Sequence, residues 1–229
     1  MTNTSQQIKS KERIAKHGEV YTREKEVNAM LDLVKDECER VDSHFLEPAC
    51  GNGNFLSAIL KRKLNVVTRD YKKSQIYWED NAFCAVSSIY GIDILKDNVE
   101  ECRNRLLKEF TEIYKKAFKN KIKQRYIEVI KYVLSQNIIW GDALSMQEPT
   151  DTEGKQNTSQ LKAKPIIIPE WAMIRNGIVM RRDYYFESYF EEKQSDKCDE
   201  KTSDMGQQVF ISKPIKEYEP IKYMDINYD

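Results

Sequence analysis

The chain has 229 residues, enough for one α/β domain of ordinary size with a sizeable core. Lys plus Arg and Asp plus Glu number 37 each, so the net charge is zero; a chain-wide basic footprint for nucleic acid is excluded, and any such contact must use local patches. Five cysteines without a CxxC pair argue against a disulfide framework and a zinc site, while the lack of a bilayer-length apolar run or a signal-peptide-like start leads us to expect a cytoplasmic protein.

Residues 1 to 16 are polar and read as an arm or short helix. Behind Thr22, a candidate N-cap followed by Glu24 and Glu26, the residues Val27, Met30, Leu31, Val34 and Cys38 recur at helical spacing and predict an amphipathic helix. Next comes FLEPACGNGNFL, Phe45 to Leu56: an apolar run, an acid, a small-residue turn and a fresh apolar start. It reads as strand, tight loop and helix, with Asn54 as the expected N-cap, and its glycines can take positive φ and bring backbone N–H groups close to a ligand. Leu56 stands where a dinucleotide fingerprint needs its third glycine, and Glu47 and Pro48 precede the loop where that pattern asks for neither, so the match to an NAD loop is weak. The helix is expected to run to about Leu64. Residues 65 to 84 then read as an insertion, whose Arg69, Tyr71, Lys72, Lys73, Tyr77 and Trp78 suit a snorkelling face packed on the domain better than a base-stacking surface.

Ser88 to Ile94 is a β-type run that reaches the acid Asp93, 40 positions after Gly53, with a helix expected from about Lys96. The stretch 95 to 134 is strongly helical and longer than one crossover needs, so part of it should project or pair. Within it Lys115, Lys116, Lys119, Lys121, Lys123 and Arg125 have no acid among them, a candidate phosphate-contacting patch that competes with a solvated helix face. Asn137 to Leu144 is another strand, ending in Gly141-Asp142. Residues 147 to 164 read as a flexible loop, Pro165 to Ile168 as a fourth strand, and the two β-like runs around Asn176-Gly177 as a hairpin. From Lys193 onward a polar, partly disordered tail is expected, with Val209 to Ile211 as a stretch that could add to a sheet edge.

Several of these segments resemble motifs of the S-adenosylmethionine-dependent DNA adenine-N6 methyltransferases, in the branch that includes type I restriction-modification subunits. Glu47 to Leu56 looks like motif I, Ser88 to Ile94 like motif II, Asn137 to Leu144 like motif III, and Gly18 to Thr22 like motif X. The resemblance implies a Rossmann-like class I methyltransferase fold over residues 1 to 190, mainly a parallel sheet with helices on both faces and a C-terminal β-hairpin, followed by a polar tail from 191 to 229. It implies S-adenosyl-L-methionine as cofactor and no metal. Tyr21 and Thr22 would hold the methionine carboxylate. Glu47, Pro48, Ala49, Gly51, Gly53, Asn54 and Phe55 would form the loop along the methionine part. Asp93, with Ile94, would take the ribose hydroxyls, and Asp142, with Ala143, the adenine ring; both roles suit acceptor-only carboxylates.

The sequence departs from the family at two places. Arg23 stands where the family has proline, and Pro169-Glu170-Trp171 stands where it has Asn-Pro-Pro-Tyr or Asp-Pro-Pro-Tyr. Glu170 as acceptor for the target amine and Trp171 as the aromatic on a flipped base are therefore the expected catalytic pair, with in-line attack of the amine on the sulfonium methyl. DNA, met through local basic patches, is the expected partner. The missing motif, and the lack of a region large enough for target recognition, give an alternative: a catalytically silent cofactor-binding subunit that needs a partner chain. RNA or protein as the methylated substrate is a third reading.

Overall fold

Residues Phe45–Glu47 (β1), Ile89–Asp93 (β2) and Ile138–Trp140 (β3) form a parallel sheet in the order β1-β2-β3. The structure is a computed structural model and describes residues 22–149, 164–190, 198–202 and 208–226. Helices α1 (Glu24–Asp32) and α2 (Lys35–Glu39) precede β1, and α3 (Asn54–Tyr71) and α4 (Gln75–Ser87) connect it to β2. The link from β2 to β3 is made by α5 (Lys96–Phe118) and α6 (Gln124–Asn137), so the class is α/β. After β3 come the hairpin strands β4 (Ile167–Arg175) and β5 (Ile178–Tyr185), a separate antiparallel pair β6 (Cys198–Thr202) and β7 (Gln208–Ser212), and the short strands β8 (Lys216–Glu217) and β9 (Ile221–Lys222), both paired with β5.

Side chains alternate across a strand, so Ile89 and Tyr90 of β2 face opposite sides. On the Ile89 side lies the main core, where Leu56, Leu60 and Leu64 of α3 meet Phe83 of α4, Leu106 and Phe110 of α5 and Ile130 of α6. On the Tyr90 side, Tyr90 and Ile92 pack against Ile166, Ile168 and Phe186 instead. The sequence predicts helices on both faces; among the described residues they gather on one, and the segments flanking the hairpin cover the other.

The helical insertion is longer and more ordered than its polar sequence suggests. α3 continues past Leu64 to Tyr71, and Trp78 on α4 is fully buried, its ring stacked on Tyr114 at 5.1 Å and its Nε1 donating to Thr68 Oγ1 at 3.1 Å. The adjoining Glu79 is buried too, and is satisfied by the Tyr114 hydroxyl, Gln75 and the Lys123 ammonium at 2.6 Å. A buried carboxylate requires such partners, because desolvation without them costs several kcal/mol. The long helical stretch breaks at the turn Lys119–Lys121, which lets α6 fold back beside α5. Of the basic run, Lys123 is thus spent on Glu79, and Arg125 donates to the carbonyls of Met224 and Ile226, leaving Lys115, Lys116, Lys119 and Lys121 exposed.

The hairpin forms where expected, because Asn176 and Gly177 both take positive φ, 48° and 76°, as a tight two-residue turn demands. Pro165 to Ile168, however, does not supply a fourth parallel strand: among the described residues β4 pairs only with β5, and β1 remains an edge. Nor is everything after residue 190 a tail. β8 and β9 extend the hairpin sheet, and Tyr223 inserts into the core, stacking on Phe83 at 5.3 Å and donating to Asp80 Oδ1 at 2.9 Å. No helix among the described residues is long and apolar enough to cross a membrane.

Lys63 ties the start of the sheet to the helices. It is fully buried, and its ammonium donates to the carbonyls of Val41 (3.0 Å) and Ser43 and to Ser88 Oγ (2.7 Å) with no carboxylate in contact. Burial pushes its pKa down from 10.5 to about 8. Between these values the unfolded chain keeps the proton and the native chain has lost it, so stability from this group rises as pH rises from about 8 to about 10.5. Urea denaturation of wild type and Lys63→Met across that range should show the difference climbing by up to about 3 kcal/mol, at about 1.4 kcal/mol for each step of one in pH.

Candidate functional site

Because the three strands are parallel, their C-terminal ends share one edge, and the loops after Glu47, Asp93 and Trp140 meet there. The first is the glycine loop. Gly51 and Gly53 adopt φ of 51° and 84°, and Gly53 rather than Asn54 occupies the N-cap of α3. Gly53 also has no room for a side chain, since a Cβ there would lie 2.6 Å from the Cys102 sulfur.

Asp93 anchors the loop. Its Oδ2 accepts from the Gly51 N–H at 2.8 Å, and its Oδ1 from the Leu95 N–H at 2.8 Å and from Asn98 Nδ2 at 3.4 Å. A carboxylate has about four lone-pair sites, so about one is left for a ligand donor. The Cys50 N–H donates to Ile92 O at 2.9 Å, which locks the loop to β2 a second time.

Neighbouring side chains complete the enclosure. Asn54 donates from Nδ2 to Thr22 O at 3.2 Å and accepts from the Arg105 guanidinium, joining the segment before α1 to the loop and to α5. Asn52 donates to Glu101 Oε1 at 3.2 Å, while its Oδ1 is buried without a partner. Beyond β3, the Gly141 N–H donates to Asp93 O at 3.0 Å, and Trp140 Nε1 to Ile94 O at 2.9 Å. Asp142 spends its carboxylate on its own turn, accepting from the Ser145 hydroxyl and the Leu144 N–H; these bonds hold its pKa below the usual range. Glu47 is shifted the other way, its carboxyl pushed up by burial.

The structure therefore brings together Thr22, Glu47, Pro48, Ala49, Gly51, Gly53, Asn54, Asp93, Ile94, Asp142 and Ala143. Tyr21 lies outside the described residues. Phe55 is half-buried and packs against the edge of the core. Thr22 is not the N-cap of α1; Arg23 takes that place, with its N–H donating to Glu26 Oε2 at 3.2 Å. Sequence reasoning passes over Asn52, Asn98, Glu101 and Arg105. The last two are one helical turn apart on α5, the spacing that puts both side chains on one face toward the loop.

The expected catalytic pair is not at this site. Glu170 and Trp171 are consecutive on β4 and so point to opposite sides. Trp171 is 8% exposed, with its Nε1 donating to Asn137 Oδ1 at 2.9 Å and its ring edge-on to Phe83 and Tyr132. It is a core residue and cannot stack on a base without leaving the fold. Glu170 faces a cavity of about 300 Å³ flanking β1, lined also by His44, Phe45, Leu46, Tyr90 and Phe186. Among the described residues, no group of three or more His, Cys, Asp or Glu side chains could hold a metal ion. No family model, curated protein or solved structure matches the chain.

Two substitutions check this assignment by chemical denaturation. Gly53→Ala meets both the left-handed φ and the Cys102 sulfur, and should cost more than about 1–2 kcal/mol. Trp171→Ala, which empties a core position and orphans Asn137 Oδ1, should cost about 3–5 kcal/mol.

Proposed function

We propose that the chain binds S-adenosyl-L-methionine across the C-terminal ends of β1, β2 and β3, and serves as the cofactor-binding component of a Rossmann-like, adenine-N6-type DNA methyltransferase whose target-binding residues come from a partner chain. The observation that carries the reading is the joining of four separated segments, around Thr22, Gly51–Asn54, Asp93 and Asp142, into one polar rim by the Gly51–Asp93, Asn54–Thr22 and Gly141–Asp93 hydrogen bonds. The fit with the cofactor rests on three groups with capacity to spare. Asn52 Oδ1 is a buried acceptor without a donor and suits an ammonium. Asp93 keeps room for a ribose hydroxyl donor, and Ile94, 51% exposed just after it, offers an apolar wall to a flat ring.

When bound, the cofactor supplies an electrophilic methyl on its sulfonium. The chain's own contribution would be positioning: the glycine loop fixes backbone N–H groups at the start of α3, Asp93 would hold the ribose and Asp142 would lie by the ring. The burial of Trp171 and the absence of a fourth parallel strand among the described residues are what favour the partner-dependent reading over a self-sufficient enzyme.

Calorimetric titration with S-adenosyl-L-methionine should give one site per chain, with Asp93→Ala binding at least about tenfold more weakly, about 1.4 kcal/mol. Absence of binding by the intact chain overturns the reading. A methylation assay on unmodified DNA with the purified chain alone should show no transfer; transfer there would remove the need for a partner.

A further inference from the structure

The cavity beside β1 has an unusual lining for a site with so little polarity. Apart from Leu46 and Ile168, its walls are rings: His44, Phe45, Tyr90, Phe186, Tyr189 and Phe190. Among the described residues the single charged wall is Glu170. β4 places it there because Ile166, Ile168 and Glu170 share the strand face opposite Trp171, and Tyr184 of β5, paired with Ile168, lies on that face beside it. Arg182, across the strand pair from Glu170, is directed to Glu217 instead, with its Nε 3.3 Å from Glu217 Oε1. Among the described residues no Lys, Arg or His makes a salt bridge with Glu170. Desolvation and then the Lys63 charge lower the pKa of His44, which disfavours a second cation in the lining. The negative charge of Glu170 is felt across the cavity: burial raises the phenols of Tyr90, Tyr184 and Tyr189, and Glu170 raises each of them further. Tyr189 and Phe190 stand 52% and 56% exposed at the mouth, with nothing to cover them among the described residues.

Aromatic faces carry negative potential, and a carboxylate among them adds a net charge. That combination attracts a weakly hydrated cation that is apolar on its outside, and it disfavours both an anion and a strongly hydrated metal ion. We propose that this cavity is a binding site for an alkylated ammonium group, with Glu170 as counter-ion and Tyr90, Phe186, Tyr189 and Phe190 as the cage. Its volume, about 300 Å³, accommodates a quaternary ammonium head and leaves the mouth open to whatever bears it. The site is separate from the glycine loop and does not depend on the cofactor reading.

Charge and shape can be separated by titrating the intact chain, by calorimetry or ligand-observed NMR, with choline and with 3,3-dimethyl-1-butanol, which has the same shape and no charge. Choline should bind about five- to tenfold more tightly than the alcohol, the range expected of cation–π contacts with one counter-ion. Glu170→Gln should abolish that preference, and Tyr189→Leu, at a position 52% exposed, should weaken choline binding while leaving thermal unfolding unchanged. A parallel titration with Nα-acetyl-Nε-trimethyl-lysine distinguishes a protein-borne ammonium, if it binds more tightly than choline, from a free one, if it does not. Equal affinity for choline and the alcohol, no binding of either ammonium compound, or an unchanged preference in Glu170→Gln would each overturn the proposal.

Discussion

The hydrogen bonds into the Asp93 carboxylate hold the candidate site together. A strand end has unsatisfied backbone groups, and so does a glycine loop in the left-handed region; Asp93 resolves both by accepting from Gly51 on one oxygen and Leu95 on the other. The consequence reaches further than two loops. With Gly51 fixed, Cys50 reaches Ile92, Gly53 closes onto Cys102, and α3 starts at the angle that carries Leu56 and Leu60 into the main core. The residue that orients a ligand in the proposed function is therefore also the residue that orders the loop, so an Asp93 variant that loses binding must also be shown to keep its fold.

The sheet itself is small for such a role. Parallel sheets usually have both faces covered by helices, which reflects their burial on both sides. Here the helices take one face, and a thin layer of Ile166, Ile168 and Phe186 covers the other. The hairpin that brings this layer is anchored elsewhere: Trp171 is bonded to Asn137, Gly177 accepts from the Tyr223 N–H, and Arg181 Nη1 donates to the Tyr132 hydroxyl at 2.9 Å. Its strands are thus committed to their own sheet, and β1 is left as an edge.

What is legible in the sequence follows the range of the interactions. Strand β2 ending at Asp93, the glycine turn, the Asn176-Gly177 hairpin and the helical stretch after Lys96 are set by local chemistry, namely alternation, positive φ and 3.6-residue spacing. The errors arise where a distant partner decides. Lys123 and Arg125 read as members of an exposed basic run because Glu79 and the carbonyls of Met224 and Ile226, which take them, lie far away in sequence. Trp78 sits among cations in the sequence, where a face packed on the domain is expected; what the sequence does not show is the depth, since Tyr114, Phe110 and Phe118 from the next helix enclose it fully. The polar C-terminal segment conceals Tyr223, whose environment is made by Phe83 and Tyr126. Asn52, Glu101 and Arg105 have no local signal at all; they become visible only once α5 is laid against the loop.

The same reasoning explains why Pro169-Glu170-Trp171 does not act as a motif even though it holds a proline, an acceptor and an aromatic. A catalytic loop after a strand end can turn consecutive side chains toward one ligand, because its backbone is free of the pleat. Within β4 the pleat forces alternation, and register with β5 fixes Glu170 opposite Arg182 and Trp171 opposite Arg181. Trp171 is then drawn to the core by its area and its indole donor, while Glu170, which cannot follow without losing its charge or finding a cation, is left on the other face. One strand thus divides the two residues between two unrelated environments, an aromatic core and an aromatic cavity. In the latter the carboxylate lies among the rings of Tyr90, Phe186, Tyr189 and Phe190.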